Sequence, residues 1–264
     1  MYFFPNDNFV NKKKLKSIGI YPQLIPIHAN IVGIDNKFLA IGSYNWLHRS
    51  EDELINLSIA IEDITSKLIL EQFWEYKDKY KALIEFEEKR LKEYIKNQNN
   101  HFAQNSEPQL ISQNPFHIEL LITPNQHYEF LKTCFQHAQF KIVIHTCFIS
   151  KDMKFLSQII EDFKVSSFSE RGGCLEILYN SESRDGEILQ EALPHHLNIM
   201  WSPVKSLQSN AIIIDEGKLA TVGSYNWFSS FRSFGDKWSF LEITLIFKDQ
   251  AADWLDKGLG LLDA

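Results

Sequence analysis

Gly42-Ser43-Tyr44-Asn45-Trp46 returns later in the chain as Gly223-Ser224-Tyr225-Asn226-Trp227, five identical residues in two similar settings. The first is preceded by Asp35-Asn36-Lys37-Phe38-Leu39-Ala40-Ile41, the second by Asp215-Glu216-Gly217-Lys218-Leu219-Ala220-Thr221-Val222. The frame is the same apart from one extra residue after the Asp. Such agreement marks two copies of one structural unit. Ile31 to Ile34 and Phe38 to Ile41 in the first copy, and Ala211 to Ile214 and Leu219 to Val222 in the second, are apolar runs split by an Asp-led turn, the pattern of a buried hairpin. A further strand is expected in each copy, at Leu57 to Ile61 and Leu241 to Phe247, each followed by a helical segment.

The surroundings of the copies differ. Ahead of the second lies an alternating series: strand near Phe116 to Ile122, helix near Asn125 to Ala138, strand Lys141 to Phe148, helix Met153 to Val165, strand Cys174 to Tyr179, short helix near Gly186 to Ala192, strand Leu197 to Trp201. Alternation of this kind predicts an α/β sheet covered by helices. The first copy has only a short stretch before it, so it reads as the C-terminal half of a unit. Residues 64–97 carry Phe73, Tyr80, Ile84, Leu91 and Ile95 on one helical stripe, read as a long helix packed on its own protein rather than a coiled-coil seam. Residues 98–114 are rich in Asn, Gln and Ser and read as a linker.

Composition bounds the rest. The chain has 264 residues, 44% hydrophobic and 23% charged, with 20 Phe, which excludes disordered and collagen-like classes and predicts a packed core. No window approaches the roughly 18 apolar residues of a membrane helix, and the first residues are too short for a signal peptide, so a cytoplasmic, membrane-independent protein is expected. Cys134, Cys147 and Cys174 have no C-x-x-C spacing and are read as free thiols. The net charge of -7 disfavours a broadly basic nucleic-acid surface without excluding a local groove. Lys12-Lys13-Lys14 with Lys16 is read as a solvated face, with a nucleic-acid patch as the alternative, and His195-His196 as a solvated loop rather than a metal site. Asp35 and Asp215 are read as turn caps, and Trp46 and Trp227 as core residues that could alternatively stack on a base.

The repeat resembles the phospholipase D superfamily, whose signature is H-x-K, four residues, D, six residues, then G-S-x-N, once per lobe. In the first copy His28, Asp35, Gly42, Ser43 and Asn45 stand at those spacings, with Asn30 at the Lys position. In the second, Gln208 stands at the His position and Asn210 at the Lys position, and Gly223, Ser224 and Asn226 match after the inserted residue. The GSYNW form is similar to bacterial nuclease-like members. The resemblance implies phospholipase D-like α-β-α lobes with mixed sheets: residues 1–63 as the C-terminal half of a first lobe, 64–97 as the long helix, 98–114 as the linker and 115–264 as a complete second lobe.

The resemblance also implies metal-independent phosphodiester chemistry without a cofactor, in which one His attacks phosphorus through a phosphohistidine and the other protonates the leaving oxygen. The Lys and Asn side chains hold the non-bridging oxygens, whose charge grows in the transition state. Here His28 is the one remaining His, a candidate nucleophile or remnant. Asn30, Ser43, Asn45, Gln208, Asn210, Ser224 and Asn226 are the candidate substrate-binding residues, and Glu242 the candidate orienting acid. Aligning Leu57-Ser58-Ile59 with Ile243-Thr244-Leu245 puts Asn56 at the Glu242 position in the first copy, with Glu53 nearby. Each amide in place of an ammonium removes an attraction of about 4 kcal/mol for a phosphate at an effective dielectric near 20.

The expectation is a degenerate phosphodiesterase that binds a phosphodiester ligand or nucleic acid with weak or no hydrolysis. Two alternatives are an active nuclease pairing His28 across a homodimer, and a structural or regulatory subunit of a larger nuclease complex. In the latter a partner would cover the incomplete first lobe.

Overall fold

The computed structural model describes residues 2–3, 23–24, 30–34, 37–43, 56–62, 67–72, 75, 119–149, 153–182, 197–228 and 242–248. The expected helix near Gly186 to Ala192, most of the stretch 64–97, the linker, His195-His196 and the Lys12 run lie outside the described residues, as do His28, Asp35, Asn45 and Trp46. Two short strands, β1 (Tyr2–Phe3) and β2 (Gln23–Leu24), pair in parallel.

A three-stranded antiparallel sheet follows, in the order β3 (Asn30–Ile34), β4 (Phe38–Gly42), β5 (Ser58–Glu62). Beyond it come β6 (Glu119–Leu121), helix α1 (Pro124–His137), β7 (Lys141–Thr146), helices α2 (Met153–Lys164) and α3 (Ser167–Glu170), β8 (Cys174–Asn180), β9 (Ile199–Val204), β10 (Ala211–Ile214), β11 (Leu219–Gly223) and β12 (Thr244–Lys248). Their strands form one seven-stranded sheet ordered β6-β12-β11-β10-β7-β8-β9. Within this sheet the β7–β8 and β8–β9 pairings are parallel and the others antiparallel, so the fold is mixed α/β.

Side-chain alternation along the strands builds two cores. Ile212 and Ile214 of β10 and Ile246 of β12 join Leu131, Phe135, Ile159, Ile160 and Phe163 under the helices. Ala211 and Ile213 of β10, Ala220 and Val222 of β11, and Leu245 and Phe247 of β12 join Leu39, Ile41 and the helical residues Ile69 and Leu70. Strands β4 and β5 pack against β11. The seven-stranded sheet therefore carries helices on one face and the three-stranded sheet on the other.

Local signals explain the boundaries. α1 opens at Thr123-Pro124-Asn125-Gln126, a capping box: Thr123 Oγ1 accepts the Gln126 N–H, and the Gln126 side-chain oxygen accepts the Thr123 N–H at 2.9 Å. α2 buries Leu156, Ile159, Ile160 and Phe163, the i, i+3, i+4, i+7 stripe of a helix lying on a sheet.

The β10–β11 turn places Asp215 and Glu216 at φ of 49° and 57°, a left-handed conformation that costs non-glycine residues roughly 1–2 kcal/mol each. The buried Asp215 carboxylate offsets this by accepting the N–H groups of Gln139, Phe140 and Lys141 at 2.8, 2.9 and 3.1 Å. Asp215 thus caps the α1–β7 connection, while the bond across its own turn is a backbone one, from Lys218 N–H to the Ile214 carbonyl. Trp227 is 1% exposed and sits in the core against His127, Tyr225 and Phe130. Cys134 is buried, Cys147 and Cys174 are half-buried, and all three are free thiols. No helix among the described residues is long and apolar enough to cross a membrane.

Candidate phosphodiester site

Both hairpins end in the same backbone arrangement. In the first, Asn30 is the register partner of Gly42, and Gly42 of Ser58. In the second, Gly223 donates its N–H to the Asn210 carbonyl at 3.3 Å and pairs with Thr244. A Cβ on Gly42 would stand 2.2 Å from the Leu57 carbonyl oxygen, and one on Gly223 would stand 2.3 Å from that of Ile243. Only glycine fits where β4 and β11 run this close to the next strand. The register also sets Asn56 against Glu242, each two residues before the partner of its glycine.

The serines that follow are held alike. Ser43 N–H donates to the Leu57 carbonyl at 2.8 Å, and Ser224 N–H to that of Ile243 at 2.9 Å. Ser43 Oγ accepts the Leu57 N–H at 2.9 Å and lies 3.3 Å from Asn56 Oδ1, to which it donates. Ser224 Oγ accepts the Ile243 N–H at 3.1 Å and donates to Glu242 Oε2 at 2.5 Å. The second bond is shorter because its acceptor is a carboxylate, and charge-assisted bonds of this kind are roughly twice as strong as neutral ones.

The amides at the two Lys positions are also used alike. Asn30 Nδ2 donates to the Ser43 carbonyl at 3.2 Å, and Asn210 Nδ2 to the Ser224 carbonyl at 3.4 Å. Asn210 is tied at its other end too, since its Oδ1 accepts the Cys147 N–H at 3.2 Å. Gln208 is half-buried, two residues before Asn210. Asn226 Oδ1 accepts the Cys147 thiol proton at a sulfur–oxygen distance of 2.7 Å. In the second copy the structure thus brings Asn210, Ser224, Asn226 and Glu242 together. In the first it brings together Asn30, Ser43 and Asn56.

Two residues join this site that sequence reasoning passed over. Cys147 follows the last residue of β7, and burial, opposed by its bond with Asn210, pushes its thiol up to about 11, so it stays protonated. His127, on the first turns of α1, is fully buried and stacks on Tyr225 with ring centroids 4.0 Å apart. Its Nδ1 faces the Thr123 carbonyl at 2.8 Å, which can only accept, so Nδ1 carries the proton and Nε2 accepts from Thr244 Oγ1 at 2.9 Å. Burial drives the imidazole down from 6.5 to about 3, against a smaller upward pull from the Thr123 carbonyl. Burial and the nearby Glu242 charge raise the Tyr225 phenol well above its ordinary range. The GSYNW tyrosine is therefore packed between the neutral His127 ring and Trp227. The alternating pattern predicted a helix near Asn125 to Ala138 but not which side chain its first turn delivers to the motif.

No protein-family model matches this chain, and no curated protein does. Among solved structures it is similar to NucT from Helicobacter pylori, at 18% identity and a TM-score of 0.41 over 55% of this chain and 92% of that one. It is also similar to Nuc from Salmonella typhimurium, described as a phospholipase D family member, at 15% identity and a TM-score of 0.38 over 54% of this chain and 88% of that one. A phosphatidylserine synthase from Haemophilus influenzae matches at 12% identity and a TM-score of 0.49, over 89% of this chain and 60% of that one.

Proposed function

We propose that this chain is a phospholipase D-like, nuclease-type phosphodiesterase module with a degenerate active site, one that holds a phosphodiester or nucleic acid and hydrolyses it weakly or not at all. The observation that carries this reading is the use made of Asn30 and Asn210. Each amide donates to the carbonyl of its own motif serine, at 3.2 and 3.4 Å, where the phospholipase D pattern has a lysine to grip phosphate. An amide spent on the backbone neither supplies a positive charge nor moves a proton. Gln208 at the second His position has no side chain that titrates near neutral pH, so the acid that would protonate a leaving oxygen is absent from that position.

What remains favours binding. Ser224 is held by Glu242 and Ile243 and Asn226 by Cys147, so the polar cluster of the second motif is kept where the phospholipase D pattern binds its phosphodiester. Equilibrium binding of the full chain to a short single-stranded oligonucleotide and to bis-p-nitrophenyl phosphate tests the reading. Binding that weakens about fivefold or more in Asn226→Ala supports it, and absence of binding to either probe refutes it.

A further inference from the structure

The two copies of the repeat agree over more than the hairpin. In the second, β8 and β9 pair in parallel, and β10, β11 and β12 follow as antiparallel neighbours. In the first, β1 and β2 pair in parallel, and β3, β4 and β5 follow as antiparallel neighbours. β2 ends at Leu24 and β9 at Val204, equally far ahead of Asn30 and Asn210, and the pair Tyr2–Gln23 takes the place of Tyr179–Pro203. The copies differ by one strand. β7 lies between β8 and β10, parallel to the one and antiparallel to the other, and so joins both parts of the second copy into a single sheet. Among the described residues the first copy has no such strand, and its parts form two separate sheets.

Burial follows the same difference. Every residue of β10 is buried, whereas none of β3 is, and Gly33 and Ile34 are exposed. Ile34 is 53% exposed, and Ile214, at the same place in the repeat, 7%. The edge of a sheet presents a row of N–H and C=O groups that a further strand can pair. We propose that the edge of β3 is a docking site for one extended apolar strand of another polypeptide, which enters between β1 and β3, parallel to β1 and antiparallel to β3. Main-chain hydrogen bonds of this kind are a general mode of peptide capture. The chemistry of the occupant follows from β7, which fills the equivalent slot with Ile142, Val143 and Ile144 between Lys141 and His145-Thr146. A strand is enough, with no helix layer above it: Ser58, Ala60 and Glu62 of β5 are exposed, where Thr244 and Ile246 of β12 are buried beneath helices. A second copy of this chain is a poorer occupant, because its own β7 is already paired on both edges.

The test adds to the full chain a synthetic peptide with the β7 sequence, Lys141 to Thr146, and follows backbone hydrogen exchange across β3. A scrambled peptide and one methylated on alternate backbone nitrogens are the controls. In the free chain, exchange should be faster at Ile31 to Ile34 than at Ala211 to Ile214. The β7 peptide should slow it in β3 about fivefold or more, the worth of one added hydrogen bond, and the controls should leave it unchanged. Protection of β3 in the free chain equal to that of β10 overturns the proposal, because a segment of this chain then fills the slot. Protection that rises with the concentration of the chain alone overturns it in favour of a second copy. A β7 peptide that fails to bind, or that binds without slowing exchange in β3, overturns it as well.

Discussion

Ser224 donates its hydroxyl proton to Glu242 across 2.5 Å while accepting the Ile243 N–H, and one strand hairpin earlier in the chain Ser43 does the same with Asn56 and Leu57. The two serines share a backbone setting and differ in the charge of their acceptor. Ser224→Ala leaves the buried Ile243 N–H without a partner and removes a charge-assisted bond, so it should destabilise the fold by about 1–3 kcal/mol. Ser43→Ala should cost less, since its partner is neutral and half-exposed. Urea unfolding of the two variants side by side checks the order, and an equal or reversed cost would contradict it.

Gly223→Ala forces a Cβ to within 2.3 Å of the Ile243 carbonyl, a rigid backbone atom that cannot step aside. Overpacking of this kind costs about 1–3 kcal/mol, and here it also prises β11 from β12 beside the motif. Gly172→Ala is the control: nothing lies within 4 Å of its added Cβ, so only its φ of 79° is penalised, by about 1 kcal/mol. Thermal unfolding should show the larger drop for Gly223→Ala.

His127 gives the fold a pH dependence of known sign. In the folded chain its imidazole titrates near 3, and in the unfolded chain near 6.5, so below 6.5 the unfolded state binds a proton that the folded state refuses. Its contribution is fully present above pH 6.5 and is lost as pH falls toward 3, at about 1.4 kcal/mol per unit. Between pH 6.5 and 5, wild type should lose about 2 kcal/mol more than His127→Gln in urea unfolding. Parallel curves for the two proteins would show that another group carries the acid sensitivity.

Asp215 ties the β10–β11 turn to the start of β7 through three N–H bonds. Asp215→Ala should cost about 2–4 kcal/mol, because it strands those donors and leaves a left-handed residue at 215 with no compensation. Asp215→Asn, which keeps an oxygen, should fall between. Hydrogen exchange at Phe140 and Lys141 reports the loss directly.

The hairpins were legible because their signals are local: apolar runs, an Asp-led turn and a glycine at each closing pair. The alignment of Asn56 with Glu242 was legible for the same reason, since antiparallel register follows from the hairpins on either side. The partners of Asn226 and Tyr225 were not. Cys147 reaches the motif because β7 lies beside β10 in the sheet order, and His127 because β6 and α1 close against β12, and neither adjacency leaves a periodic trace in the chain. Cys147 looked like one more small apolar residue next to Phe148.

On the proposed reading a phospholipase D-like site has been kept for binding and stripped for hydrolysis, and turnover of bis-p-nitrophenyl phosphate and of a labelled single-stranded oligonucleotide measures this most directly. Assayed at saturating probe beside His28→Ala, the wild-type chain should release product no faster than the variant. Turnover by the wild type that His28→Ala abolishes would contradict the account.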